Sequence, residues 1–204
     1  MTVKINSKAK ALILLLLLLL SAFLVIMLYN SVLLVLKTVY PLSYSQLVES
    51  NAEEYGIDES LLYALIETES GFDKDAVSSV GARGLTQILP ETFQWLQSKT
   101  GESHTNDALF EPEVSVKYGA YLLSILENEF GNTETAVAAY HAGIGKVHQW
   151  LENSEYSDDG VTLRYIPYDD TRAYVDKIMR TRDVYVKLYN LKQPETEEIQ
   201  NANS

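Results

Sequence analysis

Twenty-six consecutive residues, 11–36, carry no charge, and the first ten of them read ALILLLLLLL. As a helix this run is about 39 Å long at the usual rise per residue. It therefore exceeds the roughly 30 Å thickness of a bilayer's hydrocarbon core. A removable signal peptide has a shorter apolar region, of about 7–15 residues, followed by a small-x-small cleavage site. Here the run is longer, and Leu20 stands where the Ser21–Ala22 pair would need a suitable partner. The expectation is an uncleaved transmembrane anchor over 11–36. The chain has no cysteine, so a thiol-linked lipid at the N-terminus is excluded. Lys4, Lys8 and Lys10 precede the run and only Lys37 follows it closely. The positive-inside bias then keeps residues 1–10 in the cytoplasm and exports everything beyond the anchor.

The flanking lysines mask the character of the exported part. The net charge is −12, and residues 1–37 hold four lysines and no acid, so the remainder carries −16. Such acidity leaves no electrostatic footprint for nucleic acid and is read as a solubility feature. Without disulfides the exported domain must be held by packing, which about 150 residues can supply.

Most of that domain reads as helix. A linker over 37–44 leads to a helix from Gln46 stopped by Gly56, and Asp58 is a natural N-cap for the next, which runs to Ser70. A glycine-rich loop follows. Pro90 opens and Gly101 closes another helix, and Gly131 stops the one after it. Two helices separated by Gly143 and Gly145 come next, then a polar loop over 153–167, and a last long helix from Thr171 to Tyr189. Residues 191–204 are acidic and uncapped, and are expected to be disordered. The fold class is mainly α, with no internal repeat and at most short strands in the loops. Trp95, Trp150, Tyr118, Tyr121 and Tyr185 are assigned to the core.

The stretch LLYALIETESGF, from 61 to 72, ends an apolar run with two glutamates. At about 100° per residue, Leu61, Leu62, Leu65 and Ile66 lie at about 0°, 100°, 40° and 140°. Glu69 falls at about 80°, inside the apolar stripe, whereas Glu67 falls at about 240°, on the expected solvent face. A carboxyl on an apolar face loses hydration and holds its proton more tightly, as a general acid must. On helix geometry alone, Glu69 could equally emerge at the rim of the core, solvated or paired.

The residues around Glu69 carry more information. ETESGFDKDAVSSVGARGLTQILP resembles the signature of the soluble-type lytic transglycosylases, within the goose-type lysozyme superfamily. That signature has a Glu-Ser pair, here Glu69–Ser70, an aromatic two residues later, and a VGARGL-Q-P segment. A second family block appears as AYHAG at 139–143, and a third as TRAYV at 171–175. The blocks keep the family's order, and the resemblance covers residues 45–190.

The resemblance implies a lysozyme-like catalytic domain that cleaves the MurNAc-β-1,4-GlcNAc bond of peptidoglycan without water, leaving 1,6-anhydro ends. It makes Glu69 the single acid and base, with no metal and no cofactor. It places Ser70, Ser78, Gln87, Tyr140, His141 and Tyr174 at the substrate, with the Tyr140 hydroxyl orienting the glutamate. Gly81 and Gly84 would let the backbone turn beneath the sugar. Two positions depart from the family pattern. Thr86 stands for a methionine, removing a flexible apolar contact with the sugar. His141 stands for an asparagine, exchanging an amide for an imidazole that donates and accepts hydrogen bonds. The partners implied are peptidoglycan strands and, through the anchor, the bacterial cytoplasmic membrane, with the domain on its outer side. Cell-wall or secretion machinery stays unassigned.

Two other readings stay open. Asp73 or Asp75 could serve as a second carboxylate in a hydrolytic muramidase. A non-cutting, membrane-anchored peptidoglycan scaffold is the other. The spacing of His104, His141 and His148 suits no metal.

Overall fold

The apolar run of the sequence lies inside one helix, α1 (Ser7–Val39). Asn6 caps it by accepting a hydrogen bond from the Lys8 backbone N–H at 3.2 Å. None of its residues is buried, and by length and composition it can cross a bilayer. This helix belongs to the first of two units, Met1–Pro41; the second is Leu42–Ser204. The structure is a computed structural model that describes residues 6–191. The start of the expected cytoplasmic segment, 1–5, and nearly all of the expected disordered tail, 192–204, lie outside the described residues.

The second unit contains α2 (Ser45–Tyr55), α3 (Glu59–Ser70), α4 (Pro90–Thr100), a 3-10 turn (Asn106–Phe110), α5 (Pro112–Phe130), α6 (Thr133–Ala142), α7 (Ile144–Leu151) and α8 (Asp169–Tyr189). Most expected boundaries hold within two residues, the normal fraying range. The chain breaks between α6 and α7 at Gly143 alone, where φ is +90°. Gly145 continues the helix. Among the described residues no strand forms; the loop after α3 has only two isolated antiparallel bridges, Val77–Arg83 and Arg83–Ile88.

The centre of the domain is α3. All six residues from Leu61 to Ile66 are buried, so this helix is enclosed on every side rather than laid on a core by one stripe. It packs chiefly against α8 and also against α2, while α5 packs on α2 and α6, and α6 on α8. The start of α3 is fixed by Asp58. One carboxylate oxygen accepts from the Ser60 backbone N–H at 2.8 Å and from its hydroxyl at 2.6 Å. The other accepts from Arg182 Nε of α8 at 2.6 Å. One buried side chain thus caps α3 and ties it to the last helix.

The loop between α3 and α4 is docked onto α5 through small residues. Thr86 is fully buried; its hydroxyl donates to the Ser115 carbonyl at 2.8 Å, and the Ser115 hydroxyl accepts from its backbone N–H at 3.2 Å. A Cβ on Gly119 would sit 2.4 Å from Thr86 Cγ2, and one on Gly84 would sit 1.8 Å from the Leu109 carbonyl oxygen. Gly119→Ala is therefore expected to lower stability by about 1–3 kcal/mol through overpacking. Thermal denaturation followed by circular dichroism measures it; an unchanged midpoint would mean that Thr86 moves aside freely.

Candidate active site

Glu69 lies in the last turn of α3, just before Gly71 takes a left-handed φ of +58° and turns the chain into the loop. The helix end brings its carboxyl to a cleft of about 600 Å³. The loop contributes Ser78 and Gln87 to the lining, α6 contributes Tyr140 and His141, and α4 contributes Glu91 and Trp95. Residues more than seventy positions apart thus converge on one cavity.

The electrostatics of Glu69 follow from its surroundings. Burial pushes its carboxyl up to about 7, against the Tyr174 hydrogen bond and the Lys177 charge, both of which pull it down. Near neutral pH the group therefore exchanges its proton readily, as acid and base chemistry at a single carboxyl requires. The Tyr174 hydroxyl, from α8, donates to Glu69 Oε1 at 2.5 Å. The His141 ring packs against the Tyr174 ring, tilted by 32° with centroids 4.5 Å apart, and His141 Nδ1 lies 3.1 Å from the Thr171 hydroxyl.

Several expected positions behave differently from their sequence reading. Tyr140 does not hydrogen-bond the glutamate: its hydroxyl donates to the Thr86 carbonyl at 2.7 Å. The donor to the carboxyl is Tyr174 instead, because α8 packs along α3 while α6 supplies the loop side of the cleft. Ser70 does not line the cavity; its hydroxyl lies 3.1 Å from the Ile66 carbonyl and 2.9 Å from the Leu85 carbonyl, joining helix to loop. Gly84 is buried, and its backbone packs closely against the Leu109 carbonyl. Gly81, at φ +86°, has open space where a Cβ would stand, so only its turn conformation demands glycine. Thr86 faces α5, so the departure from methionine there alters packing and not the cleft wall.

Ser78 and Gln87 line the cavity while holding their own loop together. The Ser78 hydroxyl accepts from the Ala82 backbone N–H at 3.0 Å. The Gln87 amide donates to the carbonyls of Ala76 at 3.1 Å and Gly84 at 2.8 Å, from a left-handed φ of +48°.

Glu67 is not the free surface acid of the helical wheel. Its side chain is only 19% exposed, and Lys177 of α8 lies 4.0 Å away. An enclosed helix has no fully open face, so the wheel separates the two glutamates less than their neighbours do. Glu67→Gln loses one long ion pair, worth under about 1 kcal/mol, and is expected to leave turnover at the cleft intact. Loss of activity in a folded variant would assign the acid role to the wrong glutamate.

Asp73 and Asp75 are exposed and are not among the cleft-lining residues; Asp75 pairs with Lys74 at 2.8 Å. The second carboxylate on the cleft is Glu91, in the first turn of α4. Trp150 is buried as expected, but Trp95 is 38% exposed and lines the cavity. Its placement was available from the wheel: Trp95 lies about 200° from Phe93, which faces the core. Among the described residues no group of three or more His, Asp or Glu is placed to hold a metal ion.

Comparison with known proteins places this arrangement. The transglycosylase SLT domain family matches residues 46–161. The soluble lytic murein transglycosylase of Escherichia coli K12 is 33% identical over 155 residues, 74% of this chain and 24% of that protein. Membrane-bound lytic murein transglycosylase C of Yersinia pestis is 32% identical over 139 residues, 62% of this chain and 38% of that protein. The chain thus spans about a quarter of the length of the first relative, and its match with the second covers less than half of that protein.

Among solved structures, an inactive mutant of lytic transglycosylase Slt from Pseudomonas aeruginosa matches with a TM-score of 0.67 and 32% identity, over 76% of this chain and 26% of that one. The 70 kDa soluble lytic transglycosylase of E. coli matches with 0.68 and 28%, over 77% and 26%. The mainly α, lysozyme-like fold expected from the motifs is therefore the fold of the domain. With the family profile covering more than half of the chain, two of the sequence blocks lining one cleft and the third reaching its glutamate through Tyr174, this protein belongs to the transglycosylase SLT domain family.

Proposed function

We propose that this protein is a membrane-anchored peptidoglycan lytic transglycosylase, with Glu69 as its single acid and base. The observation that carries the reading is a desolvated carboxyl, held near 7 and fixed by one phenolic donor, on the wall of a cleft large enough for sugar rings. In this reading the protonated Glu69 gives its proton to the glycosidic oxygen as the C1–O bond breaks. The 2-acetamido group of the muramic sugar supports the cation-like C1. The Glu69 carboxylate then takes the proton of the C6 hydroxyl, and O6 bonds to C1, closing a 1,6-anhydro ring. No water is consumed, and the carboxyl returns to its starting state.

The other residues take supporting roles in this proposal. Tyr174 holds the carboxyl for both proton transfers. Ser78, Gln87, Tyr140 and His141 meet the saccharide from the loop and α6. Residues 11–36 anchor the chain with the domain, 45–190, outside the cytoplasmic membrane and beside its substrate. The hydrolytic alternative has lost Asp73 and Asp75 as cleft residues and would have to use Glu91.

Tyr174→Phe removes a donor that pulls the Glu69 carboxyl down. The expected result is a pH–rate profile displaced upward and a turnover roughly tenfold lower from looser orientation. A profile superimposable on the parent's would remove Tyr174 from the site.

The direct test is incubation of the full chain in detergent micelles with purified peptidoglycan, followed by mass spectrometry. Fragments one water lighter than hydrolytic products, and resistant to borohydride, support the proposal. Reducible muramic ends would make the protein a hydrolase. Failure to release any fragment from an intact, folded chain would leave the scaffold reading standing.

A further inference from the structure

Helix α4 presents two unlike faces. Phe93, Leu96 and Gln97 are buried, while Glu91, Trp95 and Lys99 are exposed. The exposed three are spaced four residues apart, so they form one row along the helix at one-turn intervals. Glu91 and Trp95 line the same cleft as Glu69, and the Lys99 ammonium sits 4.8 Å over the Trp95 ring. The row therefore runs from anion to indole along the cleft wall and continues to the Lys99 cation one turn beyond the lining.

The wall is also unusually apolar for exposed surface. Val80, Leu89 and Trp95 remain 75%, 38% and 38% exposed, and all three line the cleft. Most large side chains so exposed elsewhere belong to α1. An exposed apolar patch beside a polar rim marks a binding surface, and an indole offers a broad face to the C–H groups of a sugar ring. A Trp–Lys pair one turn apart stabilises α4 wherever it stands on the surface. That role does not require the indole to lie on the cleft.

We propose that the Glu91–Trp95–Lys99 row is a specificity subsite that seats one sugar on the indole and directs its anionic peptide substituent towards Lys99. Glu91 repels a carboxylate at the opposite end, so the row gives the bound strand a direction. In a domain whose residues beyond 37 carry −16, an ammonium held over the cleft-lining indole is a positive charge that an anionic substrate can use. The inference rests on the proposed function for the identity of the substrate, but the row binds the strand and performs no chemistry.

The test uses the full chain in detergent micelles and two probes: tetrasaccharides of alternating GlcNAc and MurNAc, one peptide-bearing and one stripped of peptide. The chain has two tryptophans, and Trp150 is buried, so Trp95 supplies the solvent-sensitive fluorescence. Titration is expected to shift that emission with both probes, and Trp95→Phe to abolish the shift. Trp95→Ala should raise KM about tenfold for both probes, and Lys99→Gln should raise it about threefold for the peptide-bearing probe alone. Both effects belong in KM, with the pH profile of turnover kept.

Unchanged KM in Trp95→Ala, or an equal effect of Lys99→Gln on both probes, would overturn the subsite. If the parent binds with the fluorescence shift yet releases no fragment, the subsite survives and the catalytic reading fails. If Trp95→Ala alone loses binding while Glu69→Gln alone loses turnover, both stand.

Discussion

Glu69→Gln is expected to lower fragment release by about 10²–10⁴-fold and, in the same protein, to raise stability above neutral pH. Both effects have one cause. Burial lifts the Glu69 carboxyl from the ordinary 4.5 to about 7. Between those values the folded chain holds a proton that the unfolded chain has released. The stability this group contributes is therefore complete below about 4.5 and is lost as pH rises through 7. An amide has no proton to lose and still accepts the Tyr174 hydroxyl. The variant should match the parent near pH 4.5 and exceed it at pH 8 by on the order of 1–2 kcal/mol, discounted for partial solvent access. Thermal midpoints at the two pH values measure the gain, and fragment release measures the loss. An equal difference at both pH values would mean that Glu69 is not a desolvated acid.

Asp58→Ala should cost more stability than any other single change considered. It strips α3 of its cap, worth about 1 kcal/mol. It also leaves Arg182 partly buried without its counter-charge, which brings the total to about 3–5 kcal/mol. Against a typical total of about 5–15 kcal/mol, that is a large fraction, and the thermal midpoint should fall by roughly 10 °C. Asp58→Asn keeps an acceptor for the Ser60 N–H and should fall between parent and alanine. Arg182→Met, which removes the charge together with its hydrogen bonds, should be milder than Asp58→Ala. Equal losses in Asp58→Ala and Asp58→Asn would assign the whole effect to the ion pair and none to the cap.

The two effects join stability to the site. Asp58 fixes α8 against the start of α3, and α8 carries Tyr174 to the end of α3, where Glu69 sits. A chain with a loosened α8 should lose the Tyr174–Glu69 hydrogen bond before it loses its helices. Turnover in Asp58→Asn is then expected to fall at temperatures below the main unfolding transition.

What the sequence determined by itself is whatever depends on neighbours close along the chain. Asp58, Pro90, Gly101 and Gly131 set helix ends through local hydrogen bonds and dihedrals, and each acts where it was read. The apolar run is legible for the same reason, since length and absence of charge are properties of one segment. Even Trp95 was within reach, because two residues, about 200° of helical rotation, put it on the opposite face of α4 from Phe93. The first two family blocks named Glu69, Ser78, Gln87, Tyr140 and His141, which line the cleft, since a motif keeps its residue types even where their contacts are unknown.

The tertiary structure decided which donor meets the acid. Tyr140 and Tyr174 are alike in type and both lie near Glu69, but they hang from different helices that approach α3 from different sides. The hydrogen bond from Tyr174 spans 105 positions, and no local period encodes it. Thr86 and Ser70 belong to the same class: Thr86 lies in irregular backbone that has no period from which to read a face, and Ser70, at the end of α3, takes its direction from the loop carbonyl of Leu85. Glu67 and Glu69 were separated by a wheel that assumes one buried stripe, and α3 is enclosed all round. Desolvation and hydrogen bonding are properties of surroundings, and those exist only once the helices have packed.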